Sequence, residues 1–340
     1  MADRLITIFG GSGFIGSHLV RHLAAQGWRV RVAVRDIRKA LFLKPSGDLG
    51  QISLVPTSIT DPNSVAAAVQ GADAVVSLVG ILYESKKRTF EAMHEKGAEI
   101  IARAAMAAGV RRLVHVSALG AHANSPSAYA RSKAAGERAV AVAFPSATIM
   151  RPSVVFGAED GFFNRFGAMA QKLPVLPYFT DAIPNTPGGG GSKFQPVYVG
   201  DVVAAISAAV NDPRHLGKTY ELVGPRVYDM RGILEIVNRE TMRRRPIIGL
   251  PYIAGDIPAR IFNAVRNLIE KIPPVSLGAP FLTPDQVKLL RLGNVASGVL
   301  PGLEAFGIAP TAAEVVVPTY LKRFRPIQQT KRLRLQARNG

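Results

Sequence analysis

The sequence contains no cysteine. That excludes disulfides, thiolate metal sites and cysteine nucleophiles, and it suits a reducing compartment. Its six histidines are scattered. His18 and His22 stand one helical turn apart, but no carboxylate completes a ligand set, so no metal is expected. No uncharged apolar run approaches about 18 residues, so no spanning helix is expected. The first strand-like run begins within a few residues of Met1, which leaves no room for a signal or transit peptide and predicts a cytoplasmic chain. Acidic residues are scarce, 24 against 42 Lys and Arg, for a formal net charge of +18. From Arg226 onward 18 basic residues face 8 acidic ones, and Lys322 to Gly340 holds seven basic and none acidic. Such a balance fits an anionic membrane surface, an acidic protein partner or nucleic acid, or simply a basic protein. Aromatic-basic interleaving and base-reading motifs are missing, so no nucleic acid is expected.

What is present is core material and a glycine motif. With 48% hydrophobic residues over 340 positions, the chain can bury one large α/β domain and a smaller one. Leu5 to Phe9 reads as a buried strand, and Gly10, Gly13 and Gly16 follow in G-x-x-G-x-x-G spacing. Ile15, Leu19, Val20 and Leu23 then repeat at helical spacing. Strand, glycine turn and helix together form a dinucleotide-binding fingerprint. Residues without Cβ let the backbone approach a pyrophosphate, and the helix N-terminus offers free N–H groups and the positive dipole end.

The alternation continues. Strands are predicted at Arg29 to Arg35, Ile52 to Val55, Ala74 to Gly80 (with Val79 and Gly80 at its end), Arg112 to Ser117 and Ser146 to Arg151. Helices are predicted after Asp61, over Phe90 to Ala108 and over Lys133 to Val142. This order implies an α/β fold, a Rossmann doubly wound parallel sheet, with a smaller and mainly helical C-terminal lobe. The expected division is 1–156 with 194–224 returning to it, a lobe of 157–193 and 225–321, and a basic tail of 322–340. Thr180 to Lys193, with Gly188 to Gly191, is a loop that serves as a lid or as a plain insertion.

Arg35 ends the second strand, with Asp36, Arg38 and Lys39 behind it. Cations there suit the 2′-phosphate of NADP(H), whereas Asp36 would serve NAD(H) if the register slipped by one; NADP(H) is favoured. Ser117 closes the fifth strand, and Tyr129 and Lys133 follow as Y-x-x-x-K. Four apart on a helix they share a face, and a lysine beside the phenol would lower its pKa for acid–base work while Ser117 holds a substrate oxygen.

These residues resemble the extended or atypical short-chain dehydrogenases/reductases. Met150 to Gly157 is similar to that family's R-P-x-x-x-x-G segment, and Gln195 to Val202 to its V-x-D-V element. The resemblance implies a cofactor site of Gly10, Ser12, Gly13, Phe14, Ile15, Gly16, Arg35, Arg38, Ser58, Ile59, Val79, Gly80, Tyr129, Lys133 and Pro152. Pro152 would border the nicotinamide, and Ser58 and Ile59 the adenine. Asp48 to Gln51, Tyr129 to Glu137, Arg151 to Phe166, Lys193 to Val203, Pro301 to Glu304 and Phe306 to Ile308 further resemble the family of the NADPH-binding accessory subunit of respiratory complex I and its bacterial relatives. That likeness implies complex I subunits as partners and a place on the cytoplasmic face of the inner membrane, with a structural nucleotide. The alternative is a catalytic NADP-dependent reductase or epimerase using Ser117, Tyr129 and Lys133; its substrate is not specified. The segment from Ala118 to Ala128 is shorter than in sugar-nucleotide enzymes, which weakens an epimerase reading. Finally, Ala259 to Ile272 reads as a basic amphipathic helix, either core-facing or lying on an anionic surface.

Overall fold

Short runs of Val, Ile, Leu and Phe with polar breaks build the sheet. β1 is Leu5–Phe9, β2 Arg29–Val34, β3 Ile52–Pro56, β4 Ala74–Ser77, β5 Arg112–Val116 and β6 Thr148–Pro152. With the strand Thr219–Leu222 they form one seven-stranded sheet, ordered Thr219–Leu222, β6, β5, β4, β1, β2, β3, with every pairing parallel. The computed structural model describes residues 4–85, 88–181, 189–252 and 283–326. Ala74–Ser77 is buried throughout, as expected of a parallel strand covered on both faces.

Helices cross between the strands. α1 is Phe14–Ala25, α2 Pro62–Val69, α3 Gly97–Ala107 and α4 Ala128–Ala143. Asp61 caps α2 by accepting the Asn63 N–H, and Ser127 caps α4 by accepting that of Ala130. Phe9, Val65, Val75, Ile101, Leu113 and Phe144 pack one face of the sheet. Arg151 on β6 donates from Nε and NH2 to Glu137 on α4 at 2.9 and 2.6 Å, a bidentate pair with little exposure.

The chain forms two compact units, Met1–Ser153 with Val199–Val223 and Ala296–Pro310, and Val154–Tyr198 with Gly224–Val295 and Thr311–Gly340. The first boundary falls three residues earlier than the sequence division. A larger departure is Ala296–Pro310, which was expected in the smaller lobe and belongs to the first unit. The Phe306 ring stacks on His215 with centroids 4.3 Å apart and lies 4.5 Å from Tyr220. Ser297 donates its N–H and hydroxyl to the buried Glu221 carboxylate at 2.7 and 2.9 Å. These long-range contacts leave no periodic trace in the sequence. The first unit also contains α6, Val199–Asn211, which packs on α1.

The second unit holds α5, Phe163–Lys172, and α7, Met230–Glu240, together with the helices Pro284–Leu292 and Ala313–Leu321. It also carries three two-stranded ladders: Val155–Phe156 with Val197–Tyr198, Leu176–Phe179 with Ile247–Leu250, and Lys193–Phe194 with Tyr228–Asp229. Its core gathers Phe156, Phe163, Leu176, Ile233, Val237 and Leu321. Asp160, 4% exposed, fixes the start of α5. It accepts the N–H groups of Gly157, Phe162 and Asn164, and the Tyr320 hydroxyl at 2.6 Å. Tyr320→Phe removes one charge-assisted bond and leaves three donors, so we expect a loss of about 2 kcal/mol in urea unfolding. An unchanged midpoint would refute this. The expected helix at Ala259 to Ile272, residues 182–188 of the glycine loop and residues 327–340 of the tail lie outside the described residues.

Candidate functional site

Parallel strands all point their carboxyl ends to one edge, and ligands in such sheets bind where the strand order reverses. Here that point lies between β1 and β4. The glycine turn follows β1 at this edge. Gly10 has φ +81°, a left-handed value that favours glycine, and its carbonyl accepts the Gly13 N–H at 3.0 Å. A Cβ on Gly16 would lie 2.6 Å from the Gly11 Cα and closer still to the Gly10 carbonyl oxygen. Gly13 occupies the N-cap of α1, where no side chain caps the helix and no acidic residue stands in the first turn. The positive helix end is thus left for an external anion. Ser12 is exposed, and Phe14 and Ile15 are half-buried beside it. This cradle fits a dinucleotide pyrophosphate.

Arg35 and Arg38 are exposed just past β2. The Asp36 carboxylate accepts the backbone N–H of Arg38 at 3.0 Å, so it is turned to its own chain. Past β3, the Ser58 N–H is given to the Ser64 hydroxyl at 3.1 Å, and Ile59 is half-buried. Val79 and Gly80 follow β4; a Cβ on Gly80 would lie 3.9 Å from Lys133 Nζ and 3.8 Å from His94 Nε2. Pro152 is buried at the end of β6.

Beyond β5, Ser117 is buried, and its Oγ has no hydrogen-bond partner among the described residues. An orphaned hydroxyl of this kind is costly unless something fills it, and it fits a ligand oxygen. Lys133 is buried on α4 and donates from Nζ to the Val116 carbonyl at 3.0 Å. Desolvation lowers its pKa to about 8, partly offset by Glu137. Tyr129 lies on the same helix, because α4 begins five residues before the predicted start. Its ring keeps some exposure while its hydroxyl is enclosed, and that desolvation raises the phenol to about 12. The sequence reading expected Lys133 to lower this value; burial instead raises it, and the lysine is bound to a backbone carbonyl.

Two residues of the site escaped sequence reasoning. Before α3 the chain makes a π-helical turn, Glu91–Lys96, a distortion often found at functional sites. It brings His94 under Tyr129, ring to edge, with centroids 5.4 Å apart. His94 Nε2 accepts the Ile81 N–H at 2.9 Å, which leaves the proton on Nδ1 for Ser132 Oγ at 2.8 Å. Ser132 in turn donates to the Tyr129 carbonyl at 2.8 Å. His115, on β5 two residues before Ser117 and therefore on the same face, is buried with neither ring nitrogen paired among the described residues. Gly97, Ala98 and Gly136 are the only sequence hint of this close packing, and they do not name the histidines. A Cβ on Gly136 would overlap the His94 carbonyl oxygen. Among the described residues no group of His, Asp and Glu could hold a metal ion.

A family model described as NAD(P)H-binding matches residues 10–160. NADH dehydrogenase (ubiquinone) 1 alpha subcomplex subunit 9, mitochondrial, of Mus musculus is 35% identical over 320 residues, 94% of this chain and 80% of its own length. A ceramide reductase of Caulobacter vibrioides is 34% identical over 212 residues, 62% of each chain. The crystal structure of UDP-glucuronic acid 4-epimerase from Bacillus cereus, in complex with UDP-glucuronic acid and NAD, superposes with a TM-score of 0.61 at 16% identity. It covers 73% of this chain and 86% of its own, and it bears on the fold alone.

Proposed function

The chain belongs to the family of NADH dehydrogenase (ubiquinone) 1 alpha subcomplex subunit 9, and on that premise we propose that it is an NADPH-holding accessory or assembly subunit of respiratory complex I. The observation that carries this reading is the 35% identity sustained over 94% of the chain, which takes in both units. Gly10 to Gly16 hold the pyrophosphate, with its charge against the open N-terminus of α1. Arg35 and Arg38 take the 2′-phosphate; the engagement of Asp36 with the Arg38 backbone supports NADPH over NADH. Ser58 and Ile59 border the adenine, Val79, Gly80, Tyr129 and Lys133 the nicotinamide ribose, and Pro152 the nicotinamide. NADPH would bring a transferable hydride to this edge. Tyr129, with its proton held to about 12, is a poor base at neutral pH, which disfavours turnover in the oxidative direction. Among the described residues no helix is long and apolar enough to cross a membrane, and the basic balance fits peripheral attachment to an anionic cytoplasmic surface.

Affinity isolation from gently solubilised membranes tests the reading. Complex I subunits should accompany the protein, and acid should release mainly NADP(H). Recovery as a free soluble protein would refute the partner, and release of NAD(H) alone the nucleotide. A second reading, an NADP-dependent reductase, is favoured by the intact Ser117, Tyr129 and Lys133 and by the likeness to a ceramide reductase. There Tyr129 would give its proton to a substrate oxygen held by Ser117. Under the leading reading Tyr129→Phe costs at most its one contact to the nicotinamide ribose and leaves complex I recovery unchanged; loss of a hydride transfer with nucleotide retained would establish the reductase.

A further inference from the structure

At the C-terminal end of α7, far in sequence from the glycine turn, arginines surround an open cleft. Thr241 closes the helix, and Met242 follows at φ +53°, a left-handed conformation usually given to glycine. The Met242 N–H returns to the Arg239 carbonyl at 3.1 Å and the Arg243 N–H to that of Asn238 at 3.0 Å. This pair of bonds is a Schellman turn, and it projects Arg243 and Arg244 from a fixed backbone. Asn238, Arg239, Met242, Arg243 and Arg244 line the cleft, whose volume is about 490 Å³.

Arg243, Arg245 and Arg325 are held by backbone carbonyls, which leave their charge uncancelled. Arg243 donates from Nε to the Phe324 carbonyl, Arg245 to that of Ala170 and Arg325 to that of Glu240, at 2.8 to 3.0 Å. Among the described residues Arg243, Arg244 and Arg245 pair with no carboxylate, and Arg244 makes no hydrogen bond at all. Arg239 alone has a carboxylate partner, Glu240, at 2.8 Å. The Arg243 to Phe324 bond brings Lys322 and Arg323 to the same region, and no acidic residue lies between Val315 and Pro326. The helix C-terminus offers only about half a negative charge, which several guanidinium groups outweigh. Burial, then the Arg245 charge, lowers the pKa of Arg243, the condition that an anion in the cleft would relieve.

We propose that this cleft binds a phosphate group, with Arg243 and Arg244 as its cationic wall. Guanidinium forks match phosphate oxygens better than any other side chain does. The phosphate comes either from an anionic lipid headgroup or from a free phosphate compound. Exposed Met242, which lines the cleft with the arginines, gives the first source an apolar neighbour.

The test uses the full chain with NADPH present to occupy the glycine turn. Two probes are applied: flotation with vesicles of phosphatidylcholine with or without phosphatidylglycerol, and calorimetric titration with inorganic pyrophosphate. Arg244→Gln removes a side chain without structural bonds, and Arg243→Gln with Arg244→Gln removes the pair. Arg103→Gln with Arg111→Gln takes the same charge from exposed positions elsewhere. The Arg243/Arg244 pair is expected to weaken binding of one probe by roughly 30-fold, with Arg244→Gln intermediate and the distant pair within about twofold of the parent. Loss of phosphatidylglycerol-dependent flotation, uncompeted by pyrophosphate, assigns the lipid headgroup; loss of pyrophosphate heat assigns a free phosphate. Equal loss in the distant pair, or binding of neither probe, overturns the proposal.

Discussion

Lowering the pH from 6.5 to 5 is expected to cost the folded chain about 3 kcal/mol of stability, with an uptake on unfolding that climbs from about one proton to about two. His94 and His115 are 1% and 2% exposed, and each has its pKa lowered to about 3. Desolvation is the first cause for both, followed by the charge of Lys133. In the unfolded chain both return to about 6.5. Between pH 3 and 6.5 the unfolded state therefore binds more protons, so stability rises with pH through this window and falls on acidification. At pH 6.5 each unfolded histidine is half protonated, so its slope climbs from about 0.7 to about 1.3 kcal/mol per pH unit, and two of them over about 1.5 units make about 3. Asp212, held near 2 by Arg214, adds nothing above its ordinary range near 4. Urea midpoints at the two pH values measure the loss, and His115→Phe should halve it. Stability that is flat across this range would mean that neither imidazole is kept neutral. On the alkaline side the signs differ. Lys133, lowered to about 8, makes stability rise from pH 8 toward 10.5, while Tyr129, raised to about 12, makes it fall above pH 10.

The histidines also mark where sequence reasoning stops. β1, the glycine turn and α1 were legible because each rests on local physics: an apolar run, residues able to turn, and a 3.6-residue period. Strand order followed from the βαβ alternation, since crossovers of one hand leave few choices. Ser117 and Tyr129 were legible as residue types at known spacing. Their proton affinities were not, because burial sets them and burial belongs to the folded state. The π-helical turn at Glu91–Lys96 inserts a local change of register that no periodicity reports. His115 looked like one more residue of a buried strand, and only the fold reveals that its ring nitrogens lack partners among the described residues. The return of Ala296–Pro310 to the first unit depends on Phe306 finding His215 and Tyr220, some ninety residues earlier, and pairings at that separation leave no local sign.

Gly16→Ala is expected to weaken NADPH binding by at least about 100-fold while leaving a folded protein. Gly16 sits one turn into α1, and the atoms that a Cβ would meet are all backbone: the Gly10 carbonyl oxygen, Gly11 Cα at 2.6 Å and Gly11 C at 2.7 Å. None can rotate away, as the end of a side chain would. The helix must move off the glycine turn to restore contact distance, and the N–H groups that face the pyrophosphate move with it. At a concentration 100 times the parent's Kd, NADPH stabilises the parent by about 2.7 kcal/mol; a variant bound 100-fold more weakly gains only about 0.4. Thermal unfolding with and without NADPH reads this difference directly. Gly109→Ala separates it from lost stability. Gly109 has φ +68° with open space around it, so alanine strains the backbone but lies away from the site. That variant should melt lower and keep the full nucleotide-induced shift. If Gly16→Ala also keeps the full shift, the turn at Gly10 to Gly16 is packing α1 against the sheet and the nucleotide is held elsewhere.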